Sequence, residues 1–307
     1  MSFKPQITQG VQSVPDLMMI YGVEGVGKTT FASKAPNPLF LDLEHGTRRI
    51  DVKRESGVTD IHLLWQFLNW FHSDNHGYSS LVIDSVSVLE QFIFKQVCAD
   101  SGVSNIEEAG GGFMKGYIMA LKYWQMLKTG IQTIQASKKT NVILIGHALV
   151  KKFDDPTTNS SYDRYRIKLE EKGSAFLREW LDFVGFANYE VTISGKGAKQ
   201  RAGGGERRIL HTERRPAYDA KNRLSLPLKI PFAYEEYAKA AHASPEVKAA
   251  ALRENIRELI ALVKDEAMRK AMEETVVKAG SNLTDLALIQ ERINQRLDEQ
   301  EEPKNEQ

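Results

Sequence analysis

The chain has 307 residues, 42% of them hydrophobic and 26% charged, a composition that excludes a disordered protein. Its 41 Lys and Arg residues balance 40 Asp and Glu residues, so the net charge of +1 gives no overall attraction to nucleic acid or anionic membranes. No apolar run reaches the roughly 18 residues of a membrane-spanning helix. The polar start of the sequence and its single cysteine, Cys98, predict a cytoplasmic protein.

Short apolar runs alternate with helical patterns over the first half of the chain. Buried strands are predicted at 17–21, 38–43, 80–84 and 141–146. Helices are predicted at 29–35, 61–71, 88–97 and 119–134. Because strands that are apolar throughout need cover on both faces, this alternation predicts an α/β fold with a mainly parallel, helix-covered sheet.

Beyond residue 147 the pattern becomes irregular. Residues 151–168 are polar and predict a loop, and residues 195–205, rich in Gly and Lys, predict a hairpin tip or a mobile loop. From residue 244 the composition shifts to Ala, Glu, Lys and Arg at helical spacing. The predicted division is a core over 1–243, a helical appendage over 244–297 and an acidic, disordered tail over 298–307.

The segment 22–29 reads Gly-Val-Glu-Gly-Val-Gly-Lys-Thr and matches the phosphate-loop pattern G-x-x-x-x-G-K-[ST] at every fixed position. It lies between a predicted strand and a predicted helix, as this motif requires. Lys28 is expected to reach the β and γ phosphates, and the Thr29 hydroxyl to bind Mg²⁺. The sequence therefore predicts ATP and Mg²⁺ as ligands. The predicted nucleotide-binding residues in this motif are Gly22, Gly25, Gly27, Lys28, Thr29 and Thr30.

A magnesium–nucleotide site also needs a carboxylate at the end of a neighbouring strand, and Asp84 ends the apolar run 80–84. Thr29 and Asp84 are thus the predicted metal residues. Many ATPases continue this strand into a glutamate that activates water, but Ser85 follows here. Glu44, which follows the second predicted strand, is an alternative base, because carboxyl ends of parallel strands converge on one crevice. From the residues alone, a solvated carboxylate after a strand is the favoured interpretation of Glu44.

Four stretches carry a family resemblance, and they are Tyr21–Ala32, Leu39–Thr47, Val82–Leu89 and Thr212–Arg223. With the polar His147 after the fourth predicted strand, they resemble the RecA-like recombinase ATPases. Three of the stretches, all but Val82–Leu89, resemble more closely the bacteriophage-encoded, RecA-related ATPases of the single-strand annealing class. The resemblance covers residues 7–240 and implies a RecA-like P-loop core.

The resemblance implies three roles near the phosphates. Glu44 matches the glutamate that activates water. His147 stands where the family usually has a glutamine that senses the γ-phosphate, so a simple strand-end histidine is the alternative. Lys221 and Arg223 match a pair that enters the neighbouring subunit's ATP site and stabilises the transferring phosphoryl group. A solvated basic turn is the alternative for that pair.

The resemblance also implies that the segment after His147 contacts single-stranded DNA. The predicted contacts are Lys151, Lys152, Arg164, Arg166 and Lys168. Basic residues interleaved with aromatics suit phosphate neutralisation and base stacking, although nearby acids dilute the charge. Residues 191–223 are a competing candidate for DNA or for a subunit interface, because nine Lys or Arg stand there against three acids.

These features predict a DNA-stimulated ATPase that forms a homo-oligomeric ring or filament and promotes annealing or pairing of single-stranded DNA. The appendage could contact a single-strand-binding or other replication protein, and no membrane is expected. A ring helicase or helicase-loading ATPase is the first alternative. The second is a nucleotide-switched binding module with vestigial hydrolysis, which the joint presence of Lys28, Asp84 and Glu44 disfavours.

Overall fold

The computed structural model describes residues 4–5, 7–9, 12, 14–155, 160–194 and 201–300. Within them lie ten strands: β1 (Leu17–Gly22), β2 (Pro38–Asp42), β3 (Lys53–Glu55), β4 (Ser80–Asp84), β5 (Asn141–Asp155), β6 (Ser160–Ile167), β7 (Phe183–Ser194), β8 (Arg201–His211), β9 (Lys221–Asn222) and β10 (Lys229–Pro231). The same ranges contain nine α-helices: α1 (Lys28–Ala32), α2 (Ile61–Ser73), α3 (Val86–Ser101), α4 (Lys115–Lys138), α5 (Glu171–Trp180), α6 (Tyr234–Ala241), α7 (Pro245–Ile260), α8 (Glu266–Ala279) and α9 (Leu283–Gln300). Two 3-10 helices span Gly46–Arg49 and Ile106–Gly111.

The sheet is built around parallel strands in the order β10-β8-β7-β1-β5-β4-β2-β3. From β7 to β3 every neighbouring pair is parallel, whereas β8 and β10 join antiparallel at one edge. The four strands predicted from apolar runs occur as β1, β2, β4 and β5. The predicted α/β class, with a mainly parallel and helix-covered sheet, is confirmed.

Helices cover both faces of the sheet, and alternate residues of β1 show how. Met19 and Tyr21 pack with helices α2 to α5 on one face. Met18 and Ile20 pack with α1 and α6 on the other. All four side chains are fully buried. Because helices cover both faces of the sheet, polar functional side chains are expected at the ends of the strands.

The segment predicted as a loop at 151–168 is a β-hairpin instead. Strand β5 continues through Asp155, and β6 pairs with it antiparallel from Ala148 opposite Ile167 to Asp155 opposite Ser160. The four residues between the strands lie outside the described part. The two strands are joined by backbone hydrogen bonds, and the buried positions of β6 include the charged Arg164, so the segment has no continuous apolar face. That is why hydropathy did not reveal it.

Helices α7, α8 and α9 enclose a hydrophobic cluster of their own, with Leu252, Ile256, Leu286 and Ile293 buried in it. Leu228 of the preceding segment packs against this cluster. Helix α9 runs to Gln300, three residues into the predicted acidic tail, and residues 301–307 lie outside the described part. None of the helices in the described ranges has the length and apolar character needed to cross a membrane.

Candidate active site

Four predicted site segments meet at one edge of the sheet. Strands β1, β5, β4 and β2 are parallel neighbours, so their carboxyl ends lie side by side. Gly22 is in register with His147, and Asp42 with Asp84. The phosphate loop, Asp84, Glu44 and His147 therefore surround one crevice, although they come from four separate parts of the chain.

The phosphate loop depends on glycine at two positions in particular. A Cβ atom at Gly22 would lie 2.1 Å from the carbonyl oxygen of Ala187 in β7. Gly27 has a φ of +99°, and a Cβ atom there would lie 2.7 Å from Nη1 of Arg208. Any side chain would thus displace the loop from the neighbouring strands or strain its backbone.

Lys28 points back into the phosphate loop. Its Nζ donates hydrogen bonds to the carbonyl oxygens of Gly22 and Val23, each at 3.0 Å. The residue is 7% exposed. Burial lowers the pKa of Lys28, while the carboxylates of Asp84 and Glu44 act in the opposite direction. The ammonium is therefore held in the concave loop where phosphate oxygens would supply the missing counter-charge.

Thr29 and Asp84 form the second part of the crevice. The Thr29 hydroxyl donates to Oδ2 of Asp84 at 2.8 Å. Burial raises the pKa of Asp84 to about 6. The hydrogen bond from Thr29 acts to lower this pKa, whereas the negative charges of Glu44 and Asp42 raise it further. A divalent cation would offset this cost of burying carboxylate charge, so these residues fit the Mg²⁺ of a magnesium–nucleotide complex.

Glu44 is held by two hydrogen-bond donors. Nε2 of His147 lies 2.9 Å from Oε1 and 3.0 Å from Oε2 of Glu44, and the Ser85 hydroxyl donates to Oε1. The hydrogen bond from His147 lowers the pKa of Glu44, burial opposes it, and Ser85 helps. Glu44 is thus an oriented, ionised carboxylate beside the crevice, with 28% of its side chain exposed.

Asp42 builds the turn that carries Glu44. Its buried carboxylate accepts from the backbone N–H groups of Gly46, at 2.9 Å, and Thr47, at 3.2 Å, and from the Thr47 hydroxyl. The backbone N–H of Glu44 donates to the carbonyl oxygen of Asp84 at 3.3 Å. This turn fixes Glu44 over the end of β4.

Lys221 and Arg223 do not join this crevice. Lys221 is in register with Val184 near the start of β7, whereas the phosphate loop lies beside Ala187, further along the same strand. Nζ of Lys221 donates to the carbonyl oxygens of Arg178, at 2.8 Å, and Glu179, at 2.7 Å, at the end of α5. Arg223 pairs with Asp182 at 3.3 Å. Both side chains are therefore engaged away from the phosphate loop.

A basic cleft of about 560 Å³ lies along α5. It brings together residues that the sequence analysis assigned to different tasks. Its lining is Phe153, Arg164, Arg166, Ala175, Arg178, Glu179, Arg214, Asp219, Ala220, Lys221 and Arg223. The hairpin and the stretch Thr212–Arg223, called the late basic motif below, thus form one positively charged surface.

Of the five predicted DNA contacts, Lys151, Lys152 and Lys168 are exposed. Arg164 is not: it is 3% exposed, and its Nη2 lies 2.7 Å from Oδ1 of Asp219. The guanidinium ties β6 to residue 219, and this burial disfavours the predicted DNA contact of Arg164. Arg166 donates to Glu171 and keeps 18% of its side chain exposed.

Three residues near the crevice were missed by sequence reasoning. Ser85 holds Glu44, and its only signal was its position after Asp84. The Tyr189 hydroxyl donates to the carbonyl oxygen of Gly25 at 3.0 Å, and Nη1 of Arg208 donates to that of Val26 at 3.3 Å. No local pattern marks Tyr189 or Arg208, since β7 and β8 reach the phosphate loop only through the fold.

An exposed apolar segment was also missed. Phe113 is 93% exposed and Met114 52% exposed, and both have positive φ angles directly after three glycines. Phe113 and Met114 therefore form an exposed apolar step directly before α4.

Known proteins were compared with the chain. The RadB recombinase structure is 14% identical, with 66% of this chain and 84% of that chain covered and a TM-score of 0.34. The flagellar accessory protein FlaH from Methanocaldococcus jannaschii is 10% identical, with 68% and 91% covered and a TM-score of 0.30. No curated protein sequence matches. A family model described as an AAA domain matches residues 15–224, from the start of β1 past the late basic motif, and the chain therefore belongs to this AAA domain family.

Proposed function

We propose that the protein is a DNA-stimulated ATPase that assembles as a ring or filament and promotes annealing or pairing of single-stranded DNA. One observation supports ATP hydrolysis above all. Lys28, the Thr29–Asp84 pair and Glu44 lie together at one edge of the sheet. These are the groups that phosphoryl transfer to water requires: a phosphate cradle, metal-binding oxygens and a base. Membership of the AAA domain family supports nucleotide binding.

In this proposal each residue of the crevice has one task. Lys28 and the loop N–H groups bind the β and γ phosphates, while Thr29 and Asp84 hold Mg²⁺. Held by Thr29 and Asp84, Mg²⁺ would supply positive charge against the negative charge that develops during phosphoryl transfer. Glu44, kept ionised by its hydrogen bonds, orients and deprotonates the attacking water. His147, which pairs with Glu44, exchanges that contact for one with the γ-phosphate in this proposal.

Assembly is supported by the position of the late basic motif. Lys221 and Arg223 lie away from their own phosphate loop, yet Arg223 keeps 57% of its side chain exposed. A cation that completes an ATP site from a neighbouring subunit needs this placement. We therefore assign Lys221 and Arg223 to the ATP site of the next subunit in a ring or filament.

DNA binding is assigned to the hairpin and its surroundings. Exposed Lys151 and Lys152 extend from β5 a few residues beyond His147, so the same strand carries the phosphate sensor and the DNA contacts. Lys168 and the exposed Phe113 add a phosphate partner and a ring on which a base can stack. A change in the hydrogen bonding of His147 can thereby alter the affinity of the hairpin for single-stranded DNA.

ATP turnover with and without single-stranded DNA tests the proposal, together with strand-annealing and duplex-unwinding assays on the same preparation. The proposal expects turnover that rises with DNA, and annealing without processive unwinding. Processive unwinding would identify a helicase instead. Nucleotide binding with no turnover in either condition would identify a switched binding module, for which the appendage would be the partner-recruiting part.

A further inference from the structure

Hydrogen bonds join the hairpin to the late basic motif. The backbone N–H of Tyr165 in β6 donates to the carbonyl oxygen of Ala217 at 2.8 Å. Nη2 of Arg164, the preceding residue, donates to Oδ1 of Asp219 at 2.7 Å. Arg164 stands directly opposite Lys151, an exposed residue of the proposed DNA surface, in the pairing of β5 with β6. A DNA strand bound at Lys151 therefore contacts the hairpin at the pair of residues that also holds Asp219.

Asp219 also contacts α5, which follows the hairpin in the chain. Nη1 of Arg178, near the end of α5, lies 3.4 Å from the same oxygen, Oδ1 of Asp219. The carbonyl oxygen of Asp219 accepts from the hydroxyl of Tyr21 at 2.6 Å, and Tyr21 directly precedes the phosphate loop. Asp219 is 5% exposed. This buried residue thus joins the hairpin, α5 and the strand that leads into the phosphate loop.

Helix α5 in turn holds Lys221. Nζ of Lys221 donates to the carbonyl oxygens of Arg178, at 2.8 Å, and Glu179, at 2.7 Å. The last carbonyl groups of a helix carry partial negative charge, so they attract this ammonium group. Arg178 therefore contacts Asp219 through its side chain and Lys221 through its backbone. In this state Lys221 is engaged within its own subunit, so it must be released before it can serve a neighbouring ATP site.

We propose that Asp219 is a positioning residue through which single-stranded DNA on the hairpin controls Lys221. DNA displaces the hairpin, and Arg164 transmits the displacement to Asp219. Asp219 then releases Arg178 and the end of α5 that holds Lys221, so that Lys221 enters the neighbouring subunit's ATP site. This coupling rests on the proposed function, both for the DNA surface and for the target of Lys221. It gives the proposed DNA stimulation a physical route.

Hydrogen exchange measures this coupling without reference to activity. The backbone N–H of Arg223, two residues beyond Lys221, donates to the carbonyl oxygen of Asp182 at 3.1 Å. In the full-length protein, single-stranded DNA should change the exchange rate of this amide by about tenfold, because the segment moves when α5 releases it. Asp219→Asn keeps the size of the side chain but removes its charge, so DNA should leave the exchange rate unchanged. An equal effect of DNA on wild type and Asp219→Asn overturns the proposal.

A second variant removes the contact with α5 and leaves the close ion pair of Asp219 with Arg164 intact. Arg178→Gln should also abolish the effect of DNA on exchange, while denaturant unfolding shows whether each variant is folded. Asp51→Asn and Arg292→Gln make the same chemical changes at exposed positions outside this network and should match wild type. A wild-type effect of DNA in Arg178→Gln removes α5 from the route and overturns the proposal.

Turnover separates this coupling from the function on which it rests. Asp219→Asn should lower the ratio of kcat with DNA to kcat without DNA by about tenfold, with little change in the KM for ATP or in DNA affinity. With DNA present, the double variant with Lys221→Ala should be no slower than Lys221→Ala alone. If the two losses multiply, Asp219 does not act through Lys221 and the proposal is wrong.

The remaining outcomes distinguish the coupling from the proposed function. If Lys221→Ala is impaired while DNA stimulates Asp219→Asn as it does wild type, the coupling fails and the proposed function stands. If DNA affinity falls together with stimulation in Asp219→Asn, Asp219 belongs to the DNA site and its positioning role is wrong. If wild-type turnover does not rise with DNA, or if Lys221→Ala turns over ATP like wild type, the proposed function itself fails and the coupling falls with it.

Discussion

Lys28 and Glu44 face the same crevice, but substitutions at the two positions are expected to impair different steps, ATP binding for Lys28 and ATP turnover for Glu44. Lys28→Ala should weaken binding of an ATP analogue, because the β and γ phosphates lose the ammonium held in their cradle. Glu44→Gln should keep ATP binding and lower turnover by about a hundredfold or more, because an amide cannot take the proton of water. Analogue binding and steady-state turnover measure the two effects.

The control for this comparison is Glu236→Gln, the same chemical change at an exposed carboxylate of α6. It should match wild type in both measurements. Wild-type turnover in Glu44→Gln would remove Glu44 from the mechanism. Undiminished analogue binding in Lys28→Ala would show that the loop backbone alone holds the phosphates.

Glu90 should make stability depend on pH. Its carboxylate is buried and accepts from the backbone N–H of Glu170, and burial raises its pKa from 4.5 to about 7. Between these values the folded state keeps a proton that the unfolded state has lost, so stability falls as pH rises through this window. Glu90→Gln removes that loss. The free energy of unfolding of Glu90→Gln, relative to that of wild type, should therefore be higher at pH 8 than at pH 5 by up to roughly 3 kcal/mol.

Denaturant unfolding of both proteins at the two pH values measures this difference. Glu179→Gln, at an exposed carboxylate of α5, should show no such pH dependence. An equal difference between Glu90→Gln and wild type at pH 5 and pH 8 contradicts the prediction.

At the scale of elements, the exposed side of the hairpin is expected to bind DNA. Replacing Lys151 and Lys152 by alanine should weaken single-stranded DNA binding and reduce the magnitude of its salt dependence, because fewer counterions are released. DNA-free ATP turnover should not change. Binding titrations over a range of salt, with an ATP analogue and with ADP, measure both effects. If the double variant binds like wild type throughout, the basic segment 191–223 becomes the leading DNA site.

The buried side of the same hairpin has a structural task. Arg164→Ala should destabilise the fold by about 3–5 kcal/mol, because Asp219 would be left buried without its close ion-pair partner. Arg178 lies further from Asp219, at 3.4 Å, and cannot fully replace it. Thermal or denaturant unfolding measures the loss, with Lys152→Ala as the exposed control on the opposite strand. Unchanged stability in Arg164→Ala would contradict this role.

At the scale of the whole molecule, mixing of inactive subunits tests assembly. Glu44→Gln and Arg223→Ala subunits should each turn over ATP slowly alone. In co-assembled mixtures some interfaces join an intact Glu44 to an intact Arg223, so part of the activity should return. Turnover against mixing ratio measures the recovery. Slow turnover at every ratio, in subunits shown to co-assemble, would contradict action across the interface.

The sequence by itself determined the order of the core elements, the phosphate loop and the position of Asp84. Apolar periodicity and glycine spacing are local signals, because a strand or a loop of this kind is specified within a few consecutive residues. The strands β1, β2, β4 and β5 and the loop at 22–29 were found for this reason. The convergence of their ends followed from the general behaviour of parallel strands.

Only the tertiary structure decided which polar side chains meet. Glu44 and His147 are 103 positions apart, and Arg164 and Asp219 are 55 apart. An arginine in a polar stretch has the same local pattern whether it is solvated or buried in an ion pair, so the sequence assigned Arg164 to the surface. Burial and partnership depend on contacts between distant segments, and hydropathy along the chain does not encode those contacts.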